Sequence, residues 1–242
     1  MRNIFHEFAE LCIEYGFSKK GKAYSRCIGD GIYQNLSIVS ISKKSPYIKI
    51  GIWSMYSDLS PIFFNDRKNI GSYFPENLIG NRLDSSSFMG IQNEYEIMKQ
   101  TGFSILDSIT TQEQLLVTIY ELQKIQYGSV LPHQIELCAP HILCGEYIEA
   151  LNHLYGIYAQ NWLNFHCKYD GLKNIGHFEE YIQTENDFEH EMESVTVFLH
   201  NLLGRKDRAI NAYMLDCLKE NIRLAKENDI AFAKNFFPKS IV

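Results

Sequence analysis

The chain has 242 residues, of which 45% are hydrophobic and 21% charged, the make-up of an ordinary globular protein long enough to bury a core without metal or disulfide staples. Its fifteen glycines and six prolines are scattered, which excludes collagen-like and low-complexity architectures. Twenty-three basic against 29 acidic residues leave a net charge of −6, which argues against a general nucleic-acid binder. Residues 3–15 carry Ile4, Phe8, Leu11, Cys12 and Tyr15 at helical spacing, with Gly16 placed to end the helix in the left-handed conformation. A basic turn, Lys19-Lys20-Gly21-Lys22, leads into a strand from Ala23 to Ile28. Gly29-Asp30-Gly31 supplies the positive φ angles of a hairpin. Strands follow from Ile32 to Ile41 and, after Lys43-Lys44-Ser45-Pro46, from Tyr47 to Met55. In the last of these, Ile48, Ile50 and Ile52 share one face, and Tyr47, Lys49, Gly51 and Trp53 the other, as in an antiparallel sheet with helices on one side.

Residues 57–81 read as loop with a short insertion, and Leu78 to Leu83 as a further strand. Thr110-Thr111-Gln112-Glu113 reads as a capping box with Glu113 bonding back, opening a helix with Leu115, Leu116, Ile119 and Leu122 on one face. Gly128 to Pro132 is the domain boundary, because almost everything after it reads as helix. Leu143 to Ala150 has the small–aromatic–small spacing of a tight helix–turn–helix, and Ala150 permits close approach. The next helix, to about Phe165, carries Leu151, Leu154, Tyr155, Tyr158, Trp162 and Phe165 on most sides and is expected to be central. A second capping-box start at Thr184 to Asp187 opens a helix with Phe188, Met192, Val195, Leu199 and Leu202 inward, stopped by Gly204. A last helix is expected from about Asp207 to Ala233, with Ile210, Met214, Cys217 and Leu224 inward. The fold expected is α+β: an N-terminal antiparallel sheet with flanking helices over 1–128, and a helical domain over 129–242 packed on it.

Acids within the first ten residues interrupt the apolar core that a secretion signal needs. The longest charge-free run, Ala150 to Cys167, holds Asn152, His153, Gln160, Asn161, Asn164 and His166 and suits a buried helix, not a membrane span. Six dispersed cysteines without a C-x-x-C pair fit reduced core thiols, and a cytoplasmic address is expected.

From Tyr15-Gly16-Phe17-Ser18-Lys19-Lys20-Gly21 through Tyr33-Gln34-Asn35-Leu36 and Ile50-Gly51-Ile52, the chain resembles a bacterial family of domains of unknown function. That family has a Gly-Phe-x-Lys-Lys-Gly opening before an antiparallel sheet. Asn81-Arg82-Leu83-Asp84 falls where the family tends to have an Arg-Leu-Gly strand, with Asp84 replacing the glycine. Ile105 to Thr110 is similar to its segment before a closing helix. The resemblance covers roughly residues 1–125 and implies no catalytic residues. Some relatives resemble immunity proteins encoded beside toxins, so it implies a partner-masking role.

Most motifs of known chemistry are missing their partners. Gly29-Asp30-Gly31 lacks the third glycine of a dinucleotide loop and joins strand to strand. His6-Glu7 and His190-Glu191 lack the second histidine of a zincin. Asp187 with His190, and Glu149 with His153, have di-metal spacing, yet the first pair flanks an inward stripe and is expected to face solvent. Cys138 and Cys144, near His133 and His141, have the wrong spacing for a zinc knuckle. No metal and no cofactor is expected. The stretch from Glu179 to Glu193 holds seven acids and no lysine or arginine. A helix dipole accounts for Glu185 and Asp187 but not for Glu189 and Glu193, which repel at i, i+4. Glu185, Asp187, Glu189 and Glu193 are therefore the candidate partner-binding residues. The leading reading is a non-catalytic binding protein, an immunity protein masking a basic partner such as a toxin, without membrane or general nucleic-acid partners. The alternatives are a metal-assisted or hydrolytic enzyme with its site between the two halves, and an RNA-associated module using the basic hairpin at 19–26 with Tyr24, Tyr33 and Tyr47 for stacking.

Overall fold

Helix α1 (Ile4–Glu14) buries Phe8, Ala9 and Cys12 and is closed by Gly16, whose φ of 78° lies in the left-handed region. The structure, a computed structural model, describes residues 4–40, 46–59, 72–81, 90–131, 134–176, 180, 186, 192–193 and 196–239. After α1 come β1 (Ser18–Lys20), β2 (Ala23–Ile28), β3 (Ile32–Ser40), β4 (Pro46–Ser54) and β5 (Ser72–Tyr73), each antiparallel to the next. Helices α2 (Pro75–Leu78), α3 (Ile91–Ile97), α4 (Phe103–Ser108) and α5 (Gln112–Tyr127) follow, with a π turn at Met98–Gly102 joining α3 to α4. Beyond Leu131 come a short 3-10 turn, α6 (Cys138–Leu143), α7 (Tyr147–Ile175), a helical segment at 196–203 and α8 (Asp207–Glu227). A last strand, β6 (Ala231–Phe232), runs parallel to β2. The fold is α+β, with an antiparallel sheet in the N-terminal part and helices in the C-terminal part.

Register explains the sheet. Tyr24, Leu36 and Ile50 are neighbours across three strands, as are Arg26, Gln34 and Ile52. This face is the main core of the sheet unit, with Ile48, Ile50 and Ile52 fully buried. Phe103 of α4 gathers the aromatic rings against it: Tyr15 stacks at 4.5 Å, and Phe8 and Phe17 lie within 6.3 Å. Two polar groups also lock α4 down. Gln34 donates to the Leu106 carbonyl at 2.8 Å, and the buried guanidinium of Arg26 meets Asp107 at 2.6 Å while lying over the Phe17 ring. Arg26 also donates to Gln34 and to the Tyr15 carbonyl, as a buried charge requires.

The Gly29-Asp30-Gly31 turn has positive φ at both glycines, as expected, and it is also a packing hub. A Cβ at Gly29 would stand 2.1 Å from the Thr110 carbonyl oxygen. The Asp30 carboxylate accepts from Tyr56 and from the Lys239 backbone N–H, and the Gly29 carbonyl accepts from Phe237. The C-terminal tail is thus pinned beneath the hairpin.

Two compact units result: Met1–Leu131 with Leu215–Ile241, and Pro132–Met214. The expected division at 128–129 therefore differs from the observed one at its far end. Residues 215–241 belong with the sheet because β6 extends it along the β2 edge and Asn221 donates to the carbonyls of Met55 and Ser57. Other expectations also change. Leu78 ends a helix instead of opening a strand, since Pro75 sits at its first position and Asn77 caps the Phe74 N–H. Residues 82–83 lie outside the described residues. The capping partner of Thr111 is Gln114, not Glu113. Helix α8 ends at Glu227 because Asp229 turns left-handed at φ 55°.

In the second unit the expected helix–turn–helix is present: α6 and α7 pack as a pair across Gly145, whose φ is 81°, with Ala150 fully buried. Helix α7 is not central. Leu154 is buried, but Tyr155 is 64% exposed and Trp162 48%, so the helix has one inward face. Met192, Leu199 and Leu202 are buried as the stripe requires, whereas Phe188 and Val195 lie outside the described residues.

Candidate functional site

A pocket of about 460 Å³ opens on the second face of the sheet, the face opposite the isoleucines of β4. Its floor is a product of strand alternation. Ser25 of β2 pairs with Asn35 of β3, and one pair further along Cys27 meets Tyr33, so Ser25, Tyr33, Asn35 and Ser37 all project on the same side. The Tyr33 hydroxyl donates to Ser25 Oγ at 3.1 Å, and Asn35 Nδ2 donates to the same oxygen at 2.8 Å. Burial raises the Tyr33 phenol above its ordinary range, against the lowering effect of its own hydrogen bonding with Ser25 and Asn35. The Tyr33 ring stacks on Trp53, and Trp53 in turn folds over Gly51, where a Cβ would lie 1.9 Å from the indole.

One wall comes from the β1–β2 hairpin, where Gly21 at φ 61° makes the turn and Lys20 and Lys22 line the opening. The other comes from the chain after α8, Asn228 and Ile230. The two walls touch: Lys20 Nζ donates to Asn228 Oδ1 at 2.5 Å, and the Ala231 N–H donates to Ser18 Oγ. Asn228 is itself fixed through its Nδ2 to the Leu224 carbonyl at 2.8 Å. The arrangement offers ammonium, hydroxyl and carboxamide groups in a half-enclosed space, the equipment of recognition.

Of the residues singled out from sequence, only some fall among the described ones. Glu185, Asp187 and Glu189 lie outside the described residues; Glu193 is exposed beside the buried Met192, to which Asn161 donates a hydrogen bond. His190 and His133 also lie outside them. The Glu149–His153 pair is not formed as a ligand pair. His153 is buried, accepts at Nδ1 from the Gln134 N–H and stacks on His141, whose Nδ1 faces Glu146 at 2.7 Å, while Glu149 is exposed. Cys138 points its Sγ toward the carbonyls of Gln134 and Ala150. Among the described residues no three His, Cys, Asp or Glu groups converge as metal ligands. Tyr24, Tyr33 and Tyr47, which the RNA alternative would use for stacking, are all buried in the sheet.

A second polar feature was not visible from sequence. Glu76 of α2 and Glu94 of α3 are both fully buried. Glu94 accepts from the Ile48 N–H, and burial, with the Glu76 charge adding to it, pushes its carboxyl up to about 7. Burial raises Glu76 as well.

No protein family, curated protein or solved structure matches the chain. Among the described residues, no helix is long and apolar enough to cross a membrane.

Proposed function

We propose that this chain is a non-catalytic cytoplasmic binding protein whose sheet pocket holds a small polar ligand. The observation that carries the reading is the pocket itself. Its volume, about 460 Å³, falls within the range of small-molecule sites, and its polar lining is held in place by hydrogen bonds within the protein, so the site is preformed. The groups around it, hydroxyls, carboxamides and ammoniums, suit recognition better than proton transfer near neutral pH. The test is thermal denaturation against a panel of neutral and charged polar molecules, with each mixture followed by NMR. Saturable stabilisation by a ligand that stays chemically unchanged is expected. Conversion of a compound to product, or stabilisation by none, overturns the reading.

The particular form of binding protein that the first 125 residues suggest by their resemblance is a toxin-masking immunity protein. The exposed Glu193, at the end of the acidic stretch, supports a basic partner. A toxin reading frame directly upstream is expected. For that toxin, changing Glu185, Glu189 and Glu193 together to Lys should slow association and weaken its salt dependence. An unchanged on-rate removes this form of the proposal.

A further inference from the structure

Resting on the reading of the sheet pocket as a binding site, we propose that its ligand is a phosphate monoester of a small hydroxylated molecule, of the sugar-phosphate class, with the phosphate between Lys20 and Lys22. The first argument is charge. Among the described residues neither lysine forms an ion pair, whereas Lys219 pairs with Asp216 and Lys239 with Asp30. Lys20 is held by the neutral carboxamide oxygen of Asn228, which positions the ammonium and leaves its full charge in place. An ammonium has three donors, so two remain for a ligand. Lys49 lies opposite Ser37 on β4, on the same face, and adds to the positive potential there. A half-enclosed opening strengthens each of these attractions relative to open water.

The second argument is hydrogen-bond direction. Ser25 Oγ already accepts from Tyr33 and Asn35, which occupies its acceptor sites. Its own proton is therefore the group left to give, and Ser25 lines the pocket. Ser37, one step along the same strand face, supplies another hydroxyl. Ala23 and Ile230 offer apolar contact to the carbon skeleton. Ammoniums at the rim and a directed hydroxyl at the floor match a molecule charged at one end and hydroxylated at the other. A polynucleotide fits less well: the tyrosines near the basic hairpin are buried, so its bases have no stacking platform.

The test is calorimetric titration of the full chain with ribose phosphate, ribose, inorganic phosphate and a short single-stranded oligoribonucleotide. Ribose phosphate should bind at least about tenfold more tightly than ribose, since charge-assisted hydrogen bonds to the phosphate are lost in the latter. The K20Q/K22Q variant should lose about tenfold or more in affinity for ribose phosphate, and K20R/K22R should retain most of it. Lys22→Gln alone should weaken binding in the same direction without touching the Lys20–Asn228 contact, and unchanged melting temperatures confirm that the variants fold. Equal binding of ribose and ribose phosphate defeats the phosphate assignment and leaves the binding reading standing. So does undiminished affinity in K20Q/K22Q. Tighter binding of the oligoribonucleotide, falling steeply with salt, overturns the assignment in favour of nucleic acid. Failure of every polar compound tried, neutral ones included, defeats both.

Discussion

Asn221 reaches back across the chain to Met55: its carboxamide nitrogen donates to the Met55 carbonyl at 2.8 Å and to the Ser57 carbonyl at 2.7 Å. Both carbonyls lie within three residues of the end of β4, so one buried side chain of α8 satisfies the strand's exit and ties residues 215–241 to the sheet. Replacing it with alanine removes both bonds and leaves carbonyls to be satisfied in a dry setting. The expected cost is about 2–4 kcal/mol. Trp53 lies in the sheet and Trp162 in the second unit, so fluorescence of Trp53 in a Trp162→Phe background reports the sheet alone. Asn221→Ala should lower the urea midpoint of that signal; an unchanged midpoint would show that the tie carries no stability.

Two glycines with nearly the same backbone angle should respond very differently to alanine. Gly29 and Gly21 have φ of 54° and 61°, so both variants incur left-handed strain of about 1 kcal/mol. At Gly21 nothing lies within 4 Å of the added Cβ, and the strain is the whole effect. At Gly29 the new carbon meets the Thr110 backbone, which must move together with α5 and the hydrogen bond from the Asp30 N–H. Gly29→Ala should therefore cost roughly 3 kcal/mol or more and Gly21→Ala roughly 1. Equal denaturation midpoints for the two variants would contradict the packed hub.

Stability should fall as pH rises toward neutrality, with Glu94 the larger cause and the raised Glu76 acting in the same direction. The folded Glu94 carboxyl titrates at about 7 against an ordinary value of 4.5, so between those values the folded chain holds a proton that the unfolded chain has released. The contribution is fully present below about pH 4, is lost as pH climbs to about 7, and stays lost above that. The swing is on the order of 3 kcal/mol. Glu94→Gln keeps an acceptor for the Ile48 N–H and cannot ionise, so its stability profile over pH 4–8 should be flatter than that of the parent. Parallel profiles would move the titration elsewhere.

All six cysteines are thiols, and their surroundings rank them. Burial raises Cys27 to about 12 and pushes Cys12 and Cys138 higher still. Cys167 is exposed. Native protein treated with a thiol reagent should therefore react first at Cys167 and last at Cys12, Cys27 and Cys138, while denatured protein titrates all six. Mass mapping of the labelled sites reads the order, and early labelling of Cys12 would contradict the packing of α1 on the sheet.

Strand alternation and the Gly-Asp-Gly turn made β2, β3 and β4 readable from the amino-acid order, because a period of two and a positive φ are local properties. The pocket floor was partly readable in the same way, since Ser25, Asn35 and Ser37 recur on alternate positions of neighbouring strands. Helices α3 and α4 were hidden by the π turn between them. Ile91, Tyr95 and Met98 keep helical spacing, but the extra residue before Phe103 and Leu106 shifts the period, and no local rule marks such an insertion. The buried Glu94 and Arg26 were illegible for a related reason: a charge reads as solvent-facing until the chain brings a distant partner to it, as Asp107 comes to Arg26. The C-terminal segment shows the same limit. Nothing in its own residues says that Ala231–Phe232 will pair with β2 or that Asn228 will fix Lys20, because both depend on where a chain some 200 residues earlier has placed its free edge and its hairpin.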